Sequence, residues 1–464
     1  MSGSKSMFAP LDQAKFSWFH GKSIFTTGMG VFTDGYDLSS IGIVLTLALA
    51  SFGVKSLTGL ESSMLAGSAL VGAAIGAIVF GFLANKGRKA FYGLDVLIMA
   101  IAALAQAFVT NIPALIIVRL ILGIGVGADY VLSPLIMGEH ANAADRGKSI
   151  ALGFGITWGL GATFAAVLYL ALQALHVPPN LIWRIVLAAG SVPAASVIYL
   201  RRKMPETARF LARIAGDSDG VEKVVAQVAG THEAWQPQGP VRDTHTLSYY
   251  FTHQWKRFVA AATLWFLFDI VAYSGILFGP SLIAKGIGLS PGTFQLVMEF
   301  AFVVPGGILA LLLIDRWGRK PLQVLGFIGM ALSLMAFSLY RTEAAAIPLI
   351  GLMLYGLENF IQQAGPGSVS ASGILGVELA PTKVRSLVQG LTVASGRLGA
   401  SLTAFVFPAI FKALGESFAI GFLASIAALA AIITMVAIPE TKKQSLEVNA
   451  QEHMTDSLDL EPIA

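Results

Sequence analysis

The chain has no cysteine and few charged residues. None of its 464 residues is Cys, which excludes disulfides and thiolate metal ligands. Only 12% are Asp, Glu, Lys or Arg, whereas an ordinary soluble domain has about 25%. Hydrophobic residues make up 55%, and the mean hydropathy is +0.72. This composition predicts a protein that crosses a membrane many times.

Motifs for enzymatic chemistry are also missing. The "HEAW" at 232–235 has no second histidine at metal-binding spacing, and no Ser/His/Asp constellation can be assembled. Glycines in "LGIGVGADY" and "GFGITWGLGA" lie within apolar segments, where they favour close helix packing over a phosphate loop. The net charge of +4 is too small and scattered to indicate nucleic-acid binding. We therefore expect no enzyme activity, no cofactor, no metal and no nucleic-acid partner.

Twelve apolar segments are each long enough to cross the hydrocarbon core of a bilayer as a helix. In the first half they lie at 23–49, 61–84, 91–110, 112–138, 147–174 and 181–200. In the second half they lie at 256–283, 292–314, 321–340, 345–377, 385–412 and 418–438. The sequence therefore predicts an all-α membrane protein with twelve transmembrane helices.

Basic residues accumulate in alternate loops, which predicts the orientation. They are Lys86, Arg88 and Lys89, then Arg146 and Lys148, several in the central linker, and Arg316, Arg319 and Lys320. By the positive-inside rule, these loops and both termini are cytoplasmic. The opening residues lack the pattern of a cleaved signal peptide, so we expect the N-terminus to stay inside. The expected location is the plasma membrane.

The two halves of the chain repeat the same short motifs. "GRK" occurs at 87–89 and 318–320, and "PET" at 205–207 and 439–441. A helix-end glutamate precedes an arginine in both halves, as Glu139 with Arg146 and Glu378 with Arg385. The repeats are offset by roughly 230 to 240 residues, as duplication of a six-helix unit would give. The predicted organisation is an N-terminal bundle over 1–200, a cytoplasmic linker over 201–255, a C-terminal bundle over 256–440 and a cytoplasmic tail over 441–464.

Several ionisable side chains fall inside the apolar segments. They are Asp34, Asp37, Asp95, Arg119, Asp129, Asp269, Glu358 and Arg397. Each costs roughly 2.5 to 3.5 kcal/mol in the middle of a membrane-spanning helix, so each needs a physical reason. Asp34 and Asp37 are three residues apart and share a helix face. A chain of such acids around a central aqueous crevice would relay protons.

Structural explanations stay open for four of these residues. Asp95 and Arg119 lie nearer helix ends, where packing ion pairs would account for them. Glu358 and Arg397 could pair with one another.

The seventh segment carries a polar stripe. Trp265, Asp269 and Tyr273 recur at i, i+4 and i+8 in "WFLFDIVAY", so an indole N–H, a carboxyl and a phenol lie on one face over two turns. Aromatic packing explains the two aromatic residues individually, but not the buried acid between them. The stripe predicts a binding surface for a small polar solute.

Together these features resemble a major facilitator superfamily transporter. The resemblance rests on the two six-helix halves, "DRWGRK" at 315–320, the "PET" elements, and Glu139 or Glu378 paired with a later arginine. Within the superfamily, "TDGYDL", "GRKAFYGLD", "GIGVGADYVLS" and the W-x3-D-x3-Y stripe are similar to the phosphate:proton symporter family. A substrate site between the halves and alternating access are implied.

The resemblance also implies roles for individual residues. Substrate ligands would be Tyr130, Thr157, Trp265, Asp269, Tyr273, Ser368 and Arg397. Proton-coupling residues would be Asp34, Asp37, Asp95, Asp129 and Asp269. Gating residues would be Arg88, Glu139, Arg146, Asp315, Arg319, Glu378 and Arg385.

The sequence departs from the family pattern at several of these positions. Asn85 replaces the usual aspartate of the first-half motif, which weakens the expected charge clamp there. Ile156 and Gly367 replace a glutamine and an asparagine of the family, leaving Thr157 and Ser368 as the nearest polar groups. Arg397 stands where the family carries a lysine.

The predicted function is proton-coupled symport of a small polar anion, with inorganic phosphate ranked first. The expected partners are the small-molecule substrate, protons and the lipid bilayer, and we expect a monomer. A sugar or organic carboxylate is the alternative substrate, although the seventh segment lacks the glutamine pair of sugar porters. A nutrient sensor that does not transport is a further alternative, but the linker and tail are short for one.

Overall fold

A computed structural model describes residues 8–230, 243–279, 284, 288–340 and 347–452. All regular secondary structure in these ranges is helical. Parts of the predicted seventh and tenth spans, of the linker and of both terminal regions lie outside the described residues.

Six long helices form the first half of the chain. They are α1 (Trp18–Ser51), α2 (Gly59–Ala84), α3 (Arg88–Gln106), α4 (Ile112–His140), α5 (Arg146–Ala174) and α6 (Pro179–Lys203). The second half contributes α7 (Leu247–Phe278), α8 (Pro291–Leu313), α9 (Arg319–Leu339), α10 (Pro348–Gln362), α11 (Arg385–Leu414) and α12 (Glu416–Ala437). Among the described residues, ten of these helices are long and apolar enough to cross a membrane.

The remaining two helices, α1 and α10, differ for identifiable reasons. Helix α1 is 34 residues long, but Asp34, Asp37 and several hydroxyl side chains interrupt its apolar character. Helix α10 ends after 15 residues and passes into a π-helical segment over Gln363–Gly367, where Pro366 lies inside the turn and Gly365 has non-helical angles. Proline removes a backbone donor and so interrupts the regular helix.

Small residues allow the helices to pack with backbones in contact. A Cβ atom placed on Gly123 of α4 would lie 1.9 Å from the carbonyl oxygen of Ala69 in α2, and one on Gly127 would lie 1.9 Å from that of Ala73. Any larger residue at either glycine would force α2 and α4 apart. These glycines therefore pack helices closely, as is common inside membranes.

The helices around the predicted linker are longer than expected. Helix α6 continues through Arg201, which is fully buried, and α7 begins at Leu247 after a Thr246 N-cap. Both overlap the predicted linker of 201–255. Between them, the helix Ser218–Ala229 packs valines against Phe8 and Leu11 near the N-terminus. Polarity alone did not reveal these helical extensions, because Arg201 is charged yet lies inside a helix.

Both described chain ends lie at one end of the helix bundle, which we call the basic end because Arg88, Arg146, Arg209, Arg319 and Arg385 lie there. At this end, Arg209 contacts Asp12 at 2.9 Å and Glu447 at 2.7 Å. It therefore connects the N-terminal and C-terminal segments.

The Arg209–Glu447 pair stays charged at physiological pH. Burial alone raises the pKa of Glu447, but the adjacent Arg209 guanidinium outweighs burial and lowers that pKa to about 2. A buried pair of this kind is strongly destabilised when one partner is removed. It therefore fixes the C-terminal segment on the linker.

Glu139 joins the two halves at the basic end. Its Oε1 accepts hydrogen bonds from Arg88 at 2.9 Å and from Arg385 at 2.7 Å. All three side chains are fully buried. Since Arg88 belongs to the first half and Arg385 to the second, one carboxylate holds both halves together.

Glu378 forms the corresponding link from the second half. It accepts from Arg319 at 2.9 and 3.1 Å and lies 3.5 Å from Arg146 of the first half. The arginine that follows each glutamate in the sequence is therefore not its contact partner. Glu139 contacts Arg385 and Glu378 contacts Arg146, because the pseudo-symmetry of the halves turns the start of α5 and of α11 toward the opposite bundle.

The two motif copies differ as their sequences predict. Asp315 accepts from the backbone N–H groups of Gly147 at 3.2 Å and Lys148 at 2.7 Å, where a negative charge at a helix N-terminus is favourable. In the other half, Asn85 only accepts a 3.4 Å hydrogen bond from the Ser386 hydroxyl. The clamp is therefore charged on one side and neutral on the other.

We predict that Glu139→Gln opens the basic end. Arg88 and Arg385 would lose their shared carboxylate, which typically costs a buried site about 3 kcal/mol or more. Because the chain has no cysteine, Ser386→Cys supplies a unique buried reporter at this interface. Maleimide labelling of that cysteine should accelerate by about tenfold or more in the Glu139→Gln background.

The control is Asp145→Asn in the same reporter background. Asp145 pairs with Lys148 at 3.1 Å, but both side chains are substantially exposed, at 32% and 48%, and such pairs contribute little. Labelling should stay at the parent rate. Equal labelling of the Glu139→Gln and Asp145→Asn proteins would show that the Glu139 link does not hold the basic end closed.

Candidate functional site

A small cavity lies between the two halves. Five predicted substrate ligands line it, namely Tyr130, Trp265, Asp269, Tyr273 and Arg397. They come from α4 of the first half and from α7 and α11 of the second. The structure thus brings together residues that are up to 267 positions apart in the sequence, counted from Tyr130 to Arg397.

Arg397 is the electrostatic centre of the cavity. Its guanidinium lies 3.6 Å from Asp34 and 3.8 Å from Asp269, and its carbon lies 4.3 Å from the centre of the Tyr130 ring. It also donates a hydrogen bond to the Tyr273 hydroxyl. One cation therefore serves a carboxylate from each half, and a flat aromatic face stabilises it further.

The carboxylates beside Arg397 are oriented by aromatic donors. Asp34 accepts from the Tyr130 hydroxyl at 2.8 Å and from the Trp158 indole at 3.2 Å. Asp269 accepts from the Trp265 indole at 3.2 Å, as the i, i+4 stripe suggests. Each carboxylate has a second oxygen that takes no part in these bonds. This oxygen accepts no hydrogen bond from the described residues. Both acids therefore keep acceptor capacity beside the guanidinium.

The suggested pair of Glu358 and Arg397 does not form. Glu358 accepts a 3.3 Å hydrogen bond from the adjacent Asn359, whereas Arg397 contacts Asp34 and Asp269. The sequence alone did not indicate that Arg397 would contact Asp34, because Asp34 lies in the opposite half of the chain.

Two predicted ligands do not reach the cavity wall. The Thr157 hydroxyl donates to the carbonyl of Gly153 at 2.7 Å, and that of Ser368 donates to the carbonyl of Gln363 at 2.8 Å. Both hydroxyls thus satisfy carbonyls of their own helix, as such side chains often do inside helices. The described cavity lining contains neither residue.

Asp95 and Asp129 form a separate cluster outside the cavity. Arg201 Nη1 lies 2.5 Å from a carboxylate oxygen of each, and the guanidinium carbon lies 4.6 Å from the Tyr92 ring centre. For Asp95 the structure therefore matches the ion-pair alternative, with Arg201 as partner. Sequence reasoning missed Arg201 because it assigned this residue to the linker, although "IYLRRK" continues an apolar segment directly.

Asp37 does not share the hydrogen-bond partners of Asp34, although the two residues are three apart on one helix. It is buried at 1% exposure, and neither carboxylate oxygen accepts a hydrogen bond within the described residues. Arg119 is the opposite charge that acts on it. Arg119 itself donates to the carbonyl of Leu65 at 3.2 Å. Asp37 and Arg119 therefore form a second buried charged group, outside the described cavity lining.

Sequence reasoning missed three polar residues of interest. Gln362 and Gln363 line the cavity, although neither was among the predicted substrate ligands. Glu299 in α8 is 4% exposed and accepts a 2.8 Å hydrogen bond from Gln295. The signal that identified the other acids, an ionisable residue within an apolar segment, would also have identified Glu299.

The cavity has the chemistry of a site for a small anion that carries protons. Arg397 supplies a fixed positive charge and directional donors. Asp269 supplies an acceptor for an O–H group, and the aromatic side chains of Trp158, Trp265 and Phe268 complete the walls. Small-molecule sites typically combine mostly apolar walls with a few converging polar groups.

Comparison with known proteins places this geometry in a family. The family model described as "Sugar (and other) transporter" matches residues 23–452. The chain is 35% identical to "Probable inorganic phosphate transporter 1-10" of Oryza sativa subsp. japonica, over 95% of this chain and 91% of that protein. It is 32% identical to "Probable inorganic phosphate transporter 1-6" of Arabidopsis thaliana, over 95% of both chains.

Solved structures agree with the fold. The proton:xylose symporter XylE bound to 6-bromo-6-deoxy-D-glucose superposes with a TM-score of 0.80 at 21% identity, covering 94% of this chain and 99% of that one. The inward-open form of XylE from E. coli gives a TM-score of 0.68, with 94% and 100% covered. The predicted twelve-helix major facilitator fold is therefore confirmed.

These similarities extend over nearly the whole chain and agree with the interface cavity, so the protein is a transporter rather than an enzyme. The chain belongs to the "Sugar (and other) transporter" family, in the part of it that contains the plant inorganic phosphate transporters.

Proposed function

We propose that the protein is a proton-coupled symporter of inorganic phosphate that works by alternating access. The observation that carries this proposal is the position of Arg397 between Asp34 of one half and Asp269 of the other. Relatives named as inorganic phosphate transporters support the substrate. The resemblance to a proton:xylose symporter supports the coupling to protons.

Charge balance explains why anion and proton would move together. With all three groups ionised, Arg397, Asp34 and Asp269 leave the cavity with one net negative charge. A phosphate monoanion would then add a second negative charge in a poorly solvated space, which is unfavourable. Protonation of Asp269 removes this repulsion and releases Arg397 to bind the phosphate.

Protonation of Asp34 loosens the contact between the halves. Asp34 lies in α1 and Arg397 in α11, so their interaction crosses the interface. Neutral Asp34 no longer attracts the guanidinium, and the halves become free to rock about the cavity. Substrate binding on Arg397 then replaces the interaction that protonation removed. In this way the loaded carrier reorients more readily than the empty, deprotonated one.

Two further groups of buried charges would complete the route for protons. The Asp95–Arg201–Asp129 cluster lies outside the cavity lining. Asp37 and Arg119 form the other group. We assign both to proton passage because charged groups inside a membrane protein are costly and usually functional.

The basic end is assigned to the cytoplasm. It carries the buried arginines and both described chain ends, and basic residues favour the inner side of a membrane. The closed ion pairs of Glu139 and Glu378 then form the inner gate. We assign the protein to the plasma membrane as a monomer.

A sugar is the second candidate substrate. Gln362 and Gln363 line the cavity, and amides of this kind both donate to and accept from hydroxyl groups. The positive charge of Arg397 favours an anion instead. A neutral sugar would add no negative charge to balance the guanidinium, which Asp34 and Asp269 alone would then have to balance.

Asp269→Asn is predicted to abolish accumulation driven by a pH gradient. An amide cannot gain or lose the proton that compensates the substrate charge, so coupling at this position disappears. In proteoliposomes with labelled phosphate, one pH unit per coupled proton corresponds to about tenfold accumulation. The variant should equilibrate phosphate without concentrating it.

Glu358→Gln is the matched control for Asp269→Asn. Glu358 is also a buried acid in the second half, at 4% exposure, but it does not line the cavity. It should retain accumulation close to that of the parent protein. Full accumulation by the Asp269→Asn protein would remove Asp269 from the coupling mechanism.

Substitutions of Arg397 should separate charge from geometry. We expect Arg397→Lys to keep measurable phosphate uptake with a raised KM, since the charge remains but the planar pair of donors is lost. Arg397→Gln removes the charge-assisted hydrogen bonds and should raise the KM by about tenfold or more. Initial uptake rates over a range of phosphate concentrations measure both values. Similar KM values for parent and Arg397→Gln proteins would show that Arg397 does not bind the anion.

A further inference from the structure

Gln363 occupies an unusual position in the cavity. It is the first residue of the π-helical segment that follows α10, and its side chain lines the cavity although the residue is only 8% exposed. Within the described residues, no hydrogen bond joins its side-chain amide to another protein group. Short π-helical segments within α-helices frequently occur at functional sites.

Two glycines leave space for this amide. A Cβ atom on Gly155 would lie 2.8 Å from Gln363 Nε2, and a Cβ atom on Gly367 would lie 2.8 Å from Gln363 Oε1. Both distances are shorter than a side chain tolerates, so even an alanine at either position would displace the amide. Gly155 belongs to α5 of the first half and Gly367 to the same π-helical segment as Gln363. The amide is therefore held in a slot between the two halves.

Several other polar groups of the cavity already donate hydrogen bonds to protein partners. The Tyr130 hydroxyl donates to Asp34, the Trp265 indole to Asp269, and Arg397 to Tyr273. The amide of Gln363 differs from these three donors because, within the described residues, both its N–H groups and its oxygen remain available; of the two cavity glutamines, it is the one that faces Gly155 and Gly367. A buried amide without partners costs free energy, which a bound ligand with both kinds of group would recover.

Monobasic phosphate is a ligand of this kind. Its protonated oxygens donate hydrogen bonds, and its unprotonated oxygens accept them. Sulfate has nearly the same tetrahedral shape, but at neutral pH it is a dianion that carries no proton. Toward sulfate, the amide oxygen of Gln363 and the free oxygen of Asp269 would each remain an unsatisfied acceptor facing an anion, which is repulsive.

We propose that Gln363 is a selectivity residue whose amide oxygen accepts from a protonated phosphate oxygen while its nitrogen donates to an unprotonated one. This inference rests on the proposed transport of phosphate and adds the group that distinguishes phosphate from fully deprotonated oxyanions. The role of Arg397 is different, since a guanidinium attracts both phosphate and sulfate.

Gln363→Leu tests this proposal, because leucine has a similar volume and no hydrogen-bonding group. Initial rates of labelled phosphate uptake into proteoliposomes should show a KM raised by about tenfold, as expected for the loss of hydrogen bonds to a charged ligand. Inhibition by sulfate should become stronger relative to phosphate. A purely structural defect would lower the maximal rate without changing this ratio.

Gln254→Leu is the matched control. Gln254 is also a glutamine with 8% exposure in the second half, but it lies outside the described cavity lining. Its KM and its sulfate-to-phosphate ratio should equal those of the parent protein.

Gly155→Ala provides a second, independent variant. It leaves Gln363 in the chain but displaces its amide, and it should shift the ratio in the same direction as Gln363→Leu. Titration calorimetry with phosphate on the purified proteins provides a binding readout separate from transport.

The outcomes distinguish this inference from the proposed function. Phosphate uptake by the parent protein with an unchanged KM and ratio in Gln363→Leu would overturn the selectivity role and leave phosphate transport intact. Failure of the parent protein to take up or bind phosphate would overturn both. Parent-like uptake by Gln254→Leu together with a shifted ratio in Gln363→Leu and Gly155→Ala would support the proposal.

Discussion

The structure depends on one guanidinium that two carboxylates from different halves share. Arg397 lies 3.6 Å from Asp34 and 3.8 Å from Asp269, in a cavity that both halves enclose. An arginine and two acids buried inside a membrane protein are costly unless they compensate one another. Because Asp34 comes from the first half, this compensation exists only while the halves are in contact. The contact between Arg397 and Asp34 therefore stabilises these buried charges, and any movement of one half relative to the other must change it.

The basic end follows the same principle with a different strength. Glu139 and Glu378 each pair with arginines of both halves, so several ion pairs join the halves there. Neither glutamate lines the described cavity. The contact of Arg397 with Asp34 is longer than these gate contacts and has a cavity beside it. A substrate anion can therefore compete for Arg397, whereas the gate pairs must separate as a group. This difference explains how binding at the centre could precede movement at the end.

Sequence patterns revealed the residues whose signal is local. The i, i+4, i+8 spacing of Trp265, Asp269 and Tyr273 placed them on one face, and all three line the cavity. Partners separated along the chain could not be found in this way. Arg201 pairs with Asp95 and Asp129, but the sequence shows only a basic residue at the end of an apolar segment. Thr157 was expected to be a ligand, yet its own helix already satisfies its hydroxyl.

The same distinction explains why Gln363 escaped a reading of the sequence. The proposed role of Gln363 depends on the absence of side chains at Gly155 and Gly367, because these glycines leave the space that its amide fills. A glycine within an apolar helix is typical of close packing in membranes, so neither glycine signals a binding site on its own. Only the folded arrangement shows that one glycine from each half faces the same amide. Substrate selection at this point would thus depend on the halves meeting, as the charge balance around Arg397 also does.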